Sequence, residues 1–171
     1  MRYKQALMGF ESFAKTVFKN LDAPSDTLLD AVKYSFFSGG KRIRARFVYA
    51  IGEAFDIDIL NCHKLAFSIE AIHTYSLIHD DLPAMDDDVI RRGKPTCHIK
   101  YDESTAILAG DALQSLAFAV IHDLDVISMS QFKSILKIFS ECCGISGMVG
   151  GQRSGRMNQN GPQLKRTVFD L

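Results

Sequence analysis

The sequence contains no tryptophan and carries no net charge, with twenty basic and twenty acidic residues among its 171. Other aromatic side chains must therefore fill the core, and twelve phenylalanines are present to do so. A neutral chain with a pI near 6.9 has no overall field to attract nucleic acid, so no nucleic-acid partner is expected. An apolar fraction of 47% argues against disorder, and the length predicts one domain.

Signals for export and for membrane insertion are also missing. The first ten residues, MRYKQALMGF, include no apolar run typical of a signal peptide. No apolar stretch approaches the roughly 20 residues that cross a bilayer, so we expect a protein that does not span a membrane. None of the four cysteines forms a C-x-x-C pair, and Cys142 and Cys143 are too cramped for an ordinary disulfide. Reduced thiols packed in the helices of a cytosolic protein are therefore expected.

Apolar residues recur every three or four positions almost throughout, which predicts helices. The predicted helices cover about 10–21, 28–38, 41–54, 59–81, 104–123 and 130–143. The fourth is apolar on nearly every side, which is typical of the middle of a bundle. The sequence shows no alternating strand pattern, and residues 82–102 are predicted to form a polar loop. The predicted fold class is all-α, a helical bundle.

The strongest local pattern is the acidic segment HDDLPAMDDD. Five aspartates fall within nine residues: Asp80, Asp81, Asp86, Asp87 and Asp88. Like charges this close repel one another, and the first two also lie at a helix C-terminus, where the dipole disfavours anions. Hard divalent cations relieve that repulsion, and Mg²⁺ prefers oxygen ligands together with substrate phosphates. A solvated acidic loop is the alternative interpretation.

Basic residues flank this segment and also open the third helix. Arg91 and Arg92 follow the aspartates, and Gly39-Gly40-Lys41-Arg42-Ile43-Arg44 precedes the third helix. Backbone N–H groups at a helix N-terminus, together with lysine and arginine side chains, suit a diphosphate. The alternative for Lys41 and Arg44 is a solvated helix start.

The fourth helix connects these features. His73 and Asp80 are seven residues apart, so they share a face and lie about 10 Å apart along the axis, with Ser76 between them. Apolar side chains below the acidic end are Ile72, Tyr75 and Leu77. The pattern suits a ligand with a diphosphate head and a hydrocarbon tail. A satisfied core histidine and plain packing of the tyrosine are the alternatives.

Four blocks occur in an order and spacing familiar from one family: GGKRIRARFVYA, EAIHTYSLIHDDLPAMDDDVIRRGKPTCH, AILAGDALQSLAF and GMVGGQ. The chain resembles the N-terminal part of short-chain trans-isoprenyl diphosphate synthases of the bacterial farnesyl diphosphate synthase type. The resemblance extends from the start of the chain to Gln152. Its specificity is high, because DDxxxxD is followed by RRG and preceded by GGKRxR.

The resemblance implies an isoprenoid-synthase-like helical bundle and a role for several residues. Asp80 and Asp86 resemble the Mg²⁺ ligands of the first aspartate-rich motif, and Asp81 lies within that motif. Arg91 resembles the contact to the allylic diphosphate. The residues that resemble the isopentenyl diphosphate site are Lys41, Arg44, His73 and Arg92. Gln152 matches the family's GGQ segment on a later helix.

The implied activity is that of a Mg²⁺-dependent prenyltransferase in isoprenoid biosynthesis. Isopentenyl diphosphate condenses with dimethylallyl or geranyl diphosphate through ionisation of the allylic C–O bond, attack by the double bond and loss of a proton. The protein positions both substrates, supplies charge and excludes water. Product length in the family is set near Tyr75 and Ser76, and the aromatic ring of Tyr75 implies farnesyl diphosphate. A cytoplasmic homodimer is also implied.

The family pattern fails at Ala45, where proline is usual, and again after Gln152. Residues 153–171, RSGRMNQNGPQLKRTVFDL, have no apolar stripe and are predicted to be a divergent, frayed tail beyond a synthase part over 1–152. The family's second aspartate-rich motif and the Lys and Thr between the two motifs are missing. We hypothesise a product truncated by a frameshift or early stop, with an incomplete bundle that exposes apolar surface around the fourth helix.

Two other functions are compatible with parts of the sequence. A di-iron bundle would use Glu70-Ala71-Ile72-His73 as an E-x-x-H motif, but such proteins need two of these motifs. The glutamates with no histidine three positions later are Glu11, Glu53, Glu103 and Glu141. The second is a non-catalytic chain of the synthase fold that binds substrate weakly or serves as a subunit partner. An assay for product with both diphosphates and Mg²⁺ separates this chain from an active enzyme.

Overall fold

The computed structural model describes the backbone of residues 2–125 and 128–159 and the side chains of 6–125 and 128–155. The helices in this part of the chain are α1 (Arg2–Lys19), α2 (Asp26–Phe36), α3 (Ile43–Ala54), α4 (Ile59–Asp80), α5 (Cys97–Lys100), α6 (Glu103–His122), α7 (Met129–Cys143) and α8 (Met148–Gln159). The predicted all-α class is confirmed. The six predicted helices correspond to α1–α4, α6 and α7.

The segment after α4 is not the simple loop that the sequence predicts. Ile90–Arg91 (β1) pairs antiparallel with Lys94–Pro95 (β2), and α5 follows. Arg92 and Gly93 between the strands have φ values of 53° and 74°, as a two-residue hairpin turn of type I′ requires. Strands of two residues are too short to show the alternation from which a strand is predicted.

The chain divides into two compact units, Met1–Ile127 and Ser128–Leu171. In the second unit, the Ser128 hydroxyl accepts a hydrogen bond from the N–H of Gln131 at the start of α7. Helix α8 continues through residues 153–159, where the sequence predicts a frayed end without a helix. Residues 160–171 lie outside the described residues, and a divergent tail over 153–171 stays a prediction.

Helix α4 is the centre of the first unit and contacts α1, α2, α3 and α6. Twelve of its 22 residues are buried, so the prediction of an enclosed central helix is confirmed. The carboxylate of Asp58 caps its N-terminus by accepting hydrogen bonds from the N–H groups of Leu60 and Asn61. The helix ends at Asp80, within the acidic segment, and this end positions the site described below.

Phenylalanine rings build the core around α4. Phe10, Phe18, Phe36 and Phe67 are each less than 2% exposed. The rings of Phe36 and Phe67 stack with centroids 5.0 Å apart, and Phe18 meets Phe36 edge-on at 5.1 Å. Each ring contributes about 2–3 kcal/mol through burial. The phenylalanine core expected from the absence of tryptophan is confirmed.

Helix α6 corrects one expectation about membranes. Although the sequence has no long uninterrupted apolar run, α6 is long and apolar enough on average to cross a bilayer. The core helix of a soluble bundle passes the same test, and α6 packs closely against α4 through Ala106, Ala109, Leu113 and Ala117. All four cysteines are free, as predicted, but Cys142 is exposed rather than packed.

Candidate active site

The acidic segment folds back at the end of α4 and brings two of its aspartates together. The backbone N–H of Asp86 donates to the carbonyl oxygen of Asp80 at 2.7 Å. The N–H of Met85 donates to the Leu82 carbonyl at 2.7 Å and tightens the turn. Asp80 is half-buried and Asp86 is exposed. This backbone contact brings Asp86 next to the end of α4, where Asp80 lies.

Asp81 has a different environment from its neighbour Asp80. Its side chain is buried, and its two carboxylate oxygens accept hydrogen bonds from Nε of Arg91 at 2.7 and 3.0 Å. Burial raises the pKa of Asp81, and the bonded guanidinium opposes that shift. Nη2 of Arg91 also lies 3.2 Å from Asp88. Asp81 therefore holds Arg91 in place.

The basic loop before α3 meets the hairpin that carries Arg92. Gly39 and Gly40 have φ values of 98° and 116°, which favour glycine. Nη1 of Arg92 donates to the Gly39 carbonyl. A Cβ on Gly40 would stand 2.7 Å from Cζ of Arg92, so only glycine admits this guanidinium. Two motifs that are some fifty residues apart in the sequence are thereby placed side by side.

The pKa of His73 depends on its burial and on the charges near it. Burial, reinforced by nearby guanidinium groups, lowers its pKa from 6.5 to about 4, so the imidazole is neutral at pH 7. Those groups, from the strongest influence to the weakest, belong to Arg44, Arg92, Arg42 and Arg91. Four arginines therefore lie close enough to His73 to disfavour its protonation.

Three of the cations in this cluster have no acidic partner. Arg42 pairs with Glu70, and Arg91 pairs with Asp81. Within the part of the chain that the structure describes, Lys41, Arg44 and Arg92 form no ion pair with a carboxylate. All three residues are exposed to solvent. A cluster of this kind attracts a polyanion.

Glu70 is not available as an iron ligand. Its Oε1 accepts a hydrogen bond from the backbone N–H of Ala45 at 3.1 Å, and its Oε2 lies 3.2 Å from Nη1 of Arg42. Among the described residues, no group of three or more His, Cys, Asp or Glu side chains is arranged to hold a metal ion. The geometry gives no support to the di-iron alternative, and it removes the Ala45 N–H from those that a phosphate could use.

The apolar side chains of α4 lie on two sides of the helix. Leu77 is half-buried on the face of His73, because four residues separate them, and it lines one cleft with Asp81, Arg91 and Arg92. Tyr75 is only 8% exposed and meets the ring of His79 edge-on at 4.9 Å. Ile72 is buried as well, and the Ser76 hydroxyl donates to the His73 carbonyl at 2.8 Å.

Gln152 belongs to α8 in the second unit, so its place at the site stays a prediction. Sequence reasoning missed the inward contacts of Arg42 and Glu70. The GGKRIR and E-x-x-H patterns contain both residues, but neither pattern shows which side chain turns inward. It also missed His79, whose Nε2 donates to the Ile107 carbonyl at 3.0 Å. The glycine of the AGDAL segment marks that contact in the sequence.

The central helix of a helical bundle thus ends in an acidic turn, and cations from the loop before α3 and from the hairpin lie beside this helix. The sequence matches the family Polyprenyl synthetase over residues 25–168, a span that continues past Gln152. The chain belongs to the polyprenyl synthetase family.

Individual relatives agree with this assignment. The chain is 49% identical to the farnesyl diphosphate synthase of Haemophilus influenzae over 140 residues, covering 82% of this chain and 48% of the relative. It is 49% identical to the farnesyl diphosphate synthase of Escherichia coli over 127 residues, covering 73% of this chain and 42% of the relative. The chain therefore spans about half the length of the curated relatives it matches.

Solved structures show the same fold. A geranyltransferase from Legionella pneumophila superposes with a TM-score of 0.91 at 38% identity, covering 95% of this chain and 58% of that protein. A geranyltransferase from Helicobacter pylori, in complex with magnesium and isoprenyl diphosphate, gives a TM-score of 0.80 at 36% identity, covering 95% and 55%. The isoprenyl synthase architecture implied by the sequence motifs is confirmed.

Proposed function

We propose that this chain carries the isopentenyl diphosphate site and the first metal site of a prenyltransferase that makes farnesyl diphosphate. One observation carries the proposal: Arg92 of the hairpin meets the basic loop at the Gly39 carbonyl, and this loop is held through Arg42 and Glu70 against α4, the helix that carries His73 and Asp80. The likeness to farnesyl diphosphate synthases along most of the chain supports it.

The basic cluster is the proposed site for the diphosphate of isopentenyl diphosphate. Lys41, Arg44 and Arg92 supply positive charge that no carboxylate among the described residues neutralises. A diphosphate offers several oxygens to guanidinium groups, which bind such oxygens in pairs. His73 is neutral in the free protein and offers a hydrogen bond rather than a charge.

Asp80 and Asp86 are the proposed Mg²⁺ ligands. Two adjacent carboxylates fit an ion that usually takes one or two carboxylates and completes its shell with water and substrate phosphates. A Mg²⁺ bound here offsets the negative charge that grows on the diphosphate as the allylic C–O bond breaks. Arg91, held by Asp81, contributes a further positive charge on the same side.

The reaction joins two isoprenoid units. The allylic C–O bond breaks and releases diphosphate, the double bond of isopentenyl diphosphate forms the new C–C bond, and one proton leaves. The residues of this chain bind and orient the two diphosphates, and the apolar side chains of Leu77 and Tyr75 limit the space for the hydrocarbon. A cytoplasmic homodimer completes the proposal, to be checked by sedimentation.

The experiment is a pair of measurements on the full 171-residue chain. Isothermal titration with isopentenyl diphosphate measures the basic site, and Lys41→Ala is expected to weaken binding at least tenfold while Lys137→Ala in α7 has no effect. A product assay with isopentenyl and geranyl diphosphates and Mg²⁺ measures turnover. Binding without product identifies a non-catalytic chain of this fold. Absence of binding by the unmutated chain overturns the proposal.

A further inference from the structure

Arg42 has an unusual backbone for its position in the basic loop. Its φ and ψ of 49° and 41° place it in the left-handed region, and its side chain makes no capping hydrogen bond at the start of α3. A residue other than glycine stays in this region only where its surroundings hold it. The contacts of its side chain hold Arg42 in this conformation.

The side chain of Arg42 points into the protein, away from the basic cluster's open side. Its Nη1 lies 3.2 Å from Oε2 of Glu70, its Nη2 donates to the Phe36 carbonyl at 2.6 Å, and its guanidinium stands 5.0 Å from the ring centroid of Phe36. Only about a tenth of the side chain is exposed. Arg42 therefore anchors the loop, while its neighbours Lys41 and Arg44 are exposed.

Glu70 holds the loop at a second point. While Oε2 pairs with Arg42, Oε1 accepts the backbone N–H of Ala45. One buried carboxylate, 3% exposed, thus binds the loop on both sides of Arg44. The proline that is usual in place of Ala45 has no N–H to donate, so this second contact belongs to the present sequence.

Glu70 also relates the loop to the rest of the site. It precedes His73 by three residues on α4, so both side chains lie on neighbouring positions of one helix face. The contacts of Glu70 therefore fix the position of the loop that carries Lys41 and Arg44 relative to α4, the helix that carries His73. A flexible loop would lose entropy when two cations converge on one ligand.

We propose that Glu70 is a positioning residue that pre-organises Lys41 and Arg44 for a diphosphate by holding Arg42 and Ala45. The proposal rests on the proposed function of the basic cluster. According to this proposal, Glu70 strengthens the binding of an anionic ligand indirectly, although its own negative charge would repel that ligand.

The test measures the affinity of the full chain for isopentenyl diphosphate without Mg²⁺, together with thermal unfolding. Glu70→Gln keeps the acceptor for Ala45 but removes the charge partner of Arg42, and we expect at least a tenfold loss of affinity. Arg42→Lys keeps a charge partner for Glu70 but loses the contact with the Phe36 carbonyl, so a smaller loss of affinity than in Glu70→Gln is expected. The double variant Arg42→Met with Glu70→Met replaces the buried pair by apolar groups, which restores stability but leaves the affinity at least tenfold low.

The control is the exposed pair Lys137–Glu141 in α7, 3.9 Å apart, changed to Met and Gln. It is expected to leave the affinity unchanged. If a folded Glu70→Gln or double variant binds within twofold of the unmutated chain, Glu70 only supports folding and the inference is wrong. The same conclusion holds if neither variant folds. If Lys41→Ala leaves binding unchanged, the proposed function itself fails, independently of Glu70.

Discussion

The ring of His79 lies directly on Gly110, where α4 and α6 cross. A Cβ on Gly110 would overlap the imidazole, and the His79 Nε2 donates to the Ile107 carbonyl at 3.0 Å. Gly110 of the AGDAL segment and His79 of the HDD segment therefore contact each other. This contact fixes the end of α4 from which Asp80 and Asp81 extend.

Gly110→Ala is expected to destabilise the chain by about 1–3 kcal/mol, because the added methyl group must displace the ring or separate the two helices. Urea denaturation followed by circular dichroism measures the change. Gly155→Ala is the matched control, since nothing lies near its Cβ position, and it should leave stability unchanged or raise it by up to about 1 kcal/mol. Equal stabilities of the two variants would contradict the described packing.

The lowered pKa of His73 makes stability depend on pH. Its pKa is about 4 in the folded chain and about 6.5 when unfolded, so between these values the unfolded chain binds the extra proton. The unmutated chain should therefore lose about 1–2 kcal/mol more unfolding free energy than His73→Gln when the pH falls from 7 to 5. Urea titrations at the two pH values measure this difference. The same loss in both proteins would show that burial does not keep His73 neutral.

Asp80→Asn or Asp86→Asn should weaken the Mg²⁺-dependent binding of geranyl diphosphate at least tenfold, since diphosphate and carboxylates repel each other unless a cation lies between them. Titration calorimetry with and without Mg²⁺ gives both affinities. Asp87→Asn is the control, because it removes a charge from the same loop and asparagine tolerates the φ of 56° at that position. Binding that ignores Mg²⁺ in the unmutated chain would refute the assignment.

Tyr75→Ala should allow longer products, because the buried ring that meets His79 would no longer limit the hydrocarbon space beside α4. The measurement is product length by mass spectrometry, in a fusion of this chain with the C-terminal half of the Haemophilus influenzae farnesyl diphosphate synthase. Ser76→Ala serves as the smaller change at the neighbouring position. Farnesyl diphosphate as the sole product of Tyr75→Ala would place the floor of the cavity at another residue.

One side of α3 exposes a row of apolar side chains: Ile43, Phe47, Ile51 and Phe55. Phe47 and Phe55 are 65% and 74% exposed, so part of the exposed apolar surface of the chain lies along α3. We expect the chain to bind a hydrophobic dye and to self-associate at micromolar concentration. Phe47→Ser with Ile51→Ser should halve the dye signal without loss of helix.

Ile145→Ser provides the comparison for the α3 variant. Ile145 is 88% exposed in the second unit, and it is not part of the row on α3. Its replacement should leave the dye signal and the sedimentation coefficient nearly unchanged. Equal effects of the two changes would show that the row on α3 has no special role.

Most of the helical architecture was accessible from the sequence because helix formation follows a local period. The stripes of apolar residues and the all-round apolarity of α4 each involve residues within a few turns of one another. The hairpin around Gly93 was missed, since its strands have two residues each. The continuation of α8 through residues 153–159 was missed because these residues have no apolar stripe.

The sequence by itself determined which residue types gather at the site: the paired aspartates, the arginines and the histidine two turns below. It could not show which carboxylate serves which cation. Asp81 pairs with Arg91, and Glu70 with Arg42, only because the hairpin and the loop before α3 pack against α4. Such partnerships depend on residues up to 28 positions apart and on the burial that tertiary packing imposes. Tertiary structure therefore decided which charges are neutralised inside the protein and which remain for a ligand.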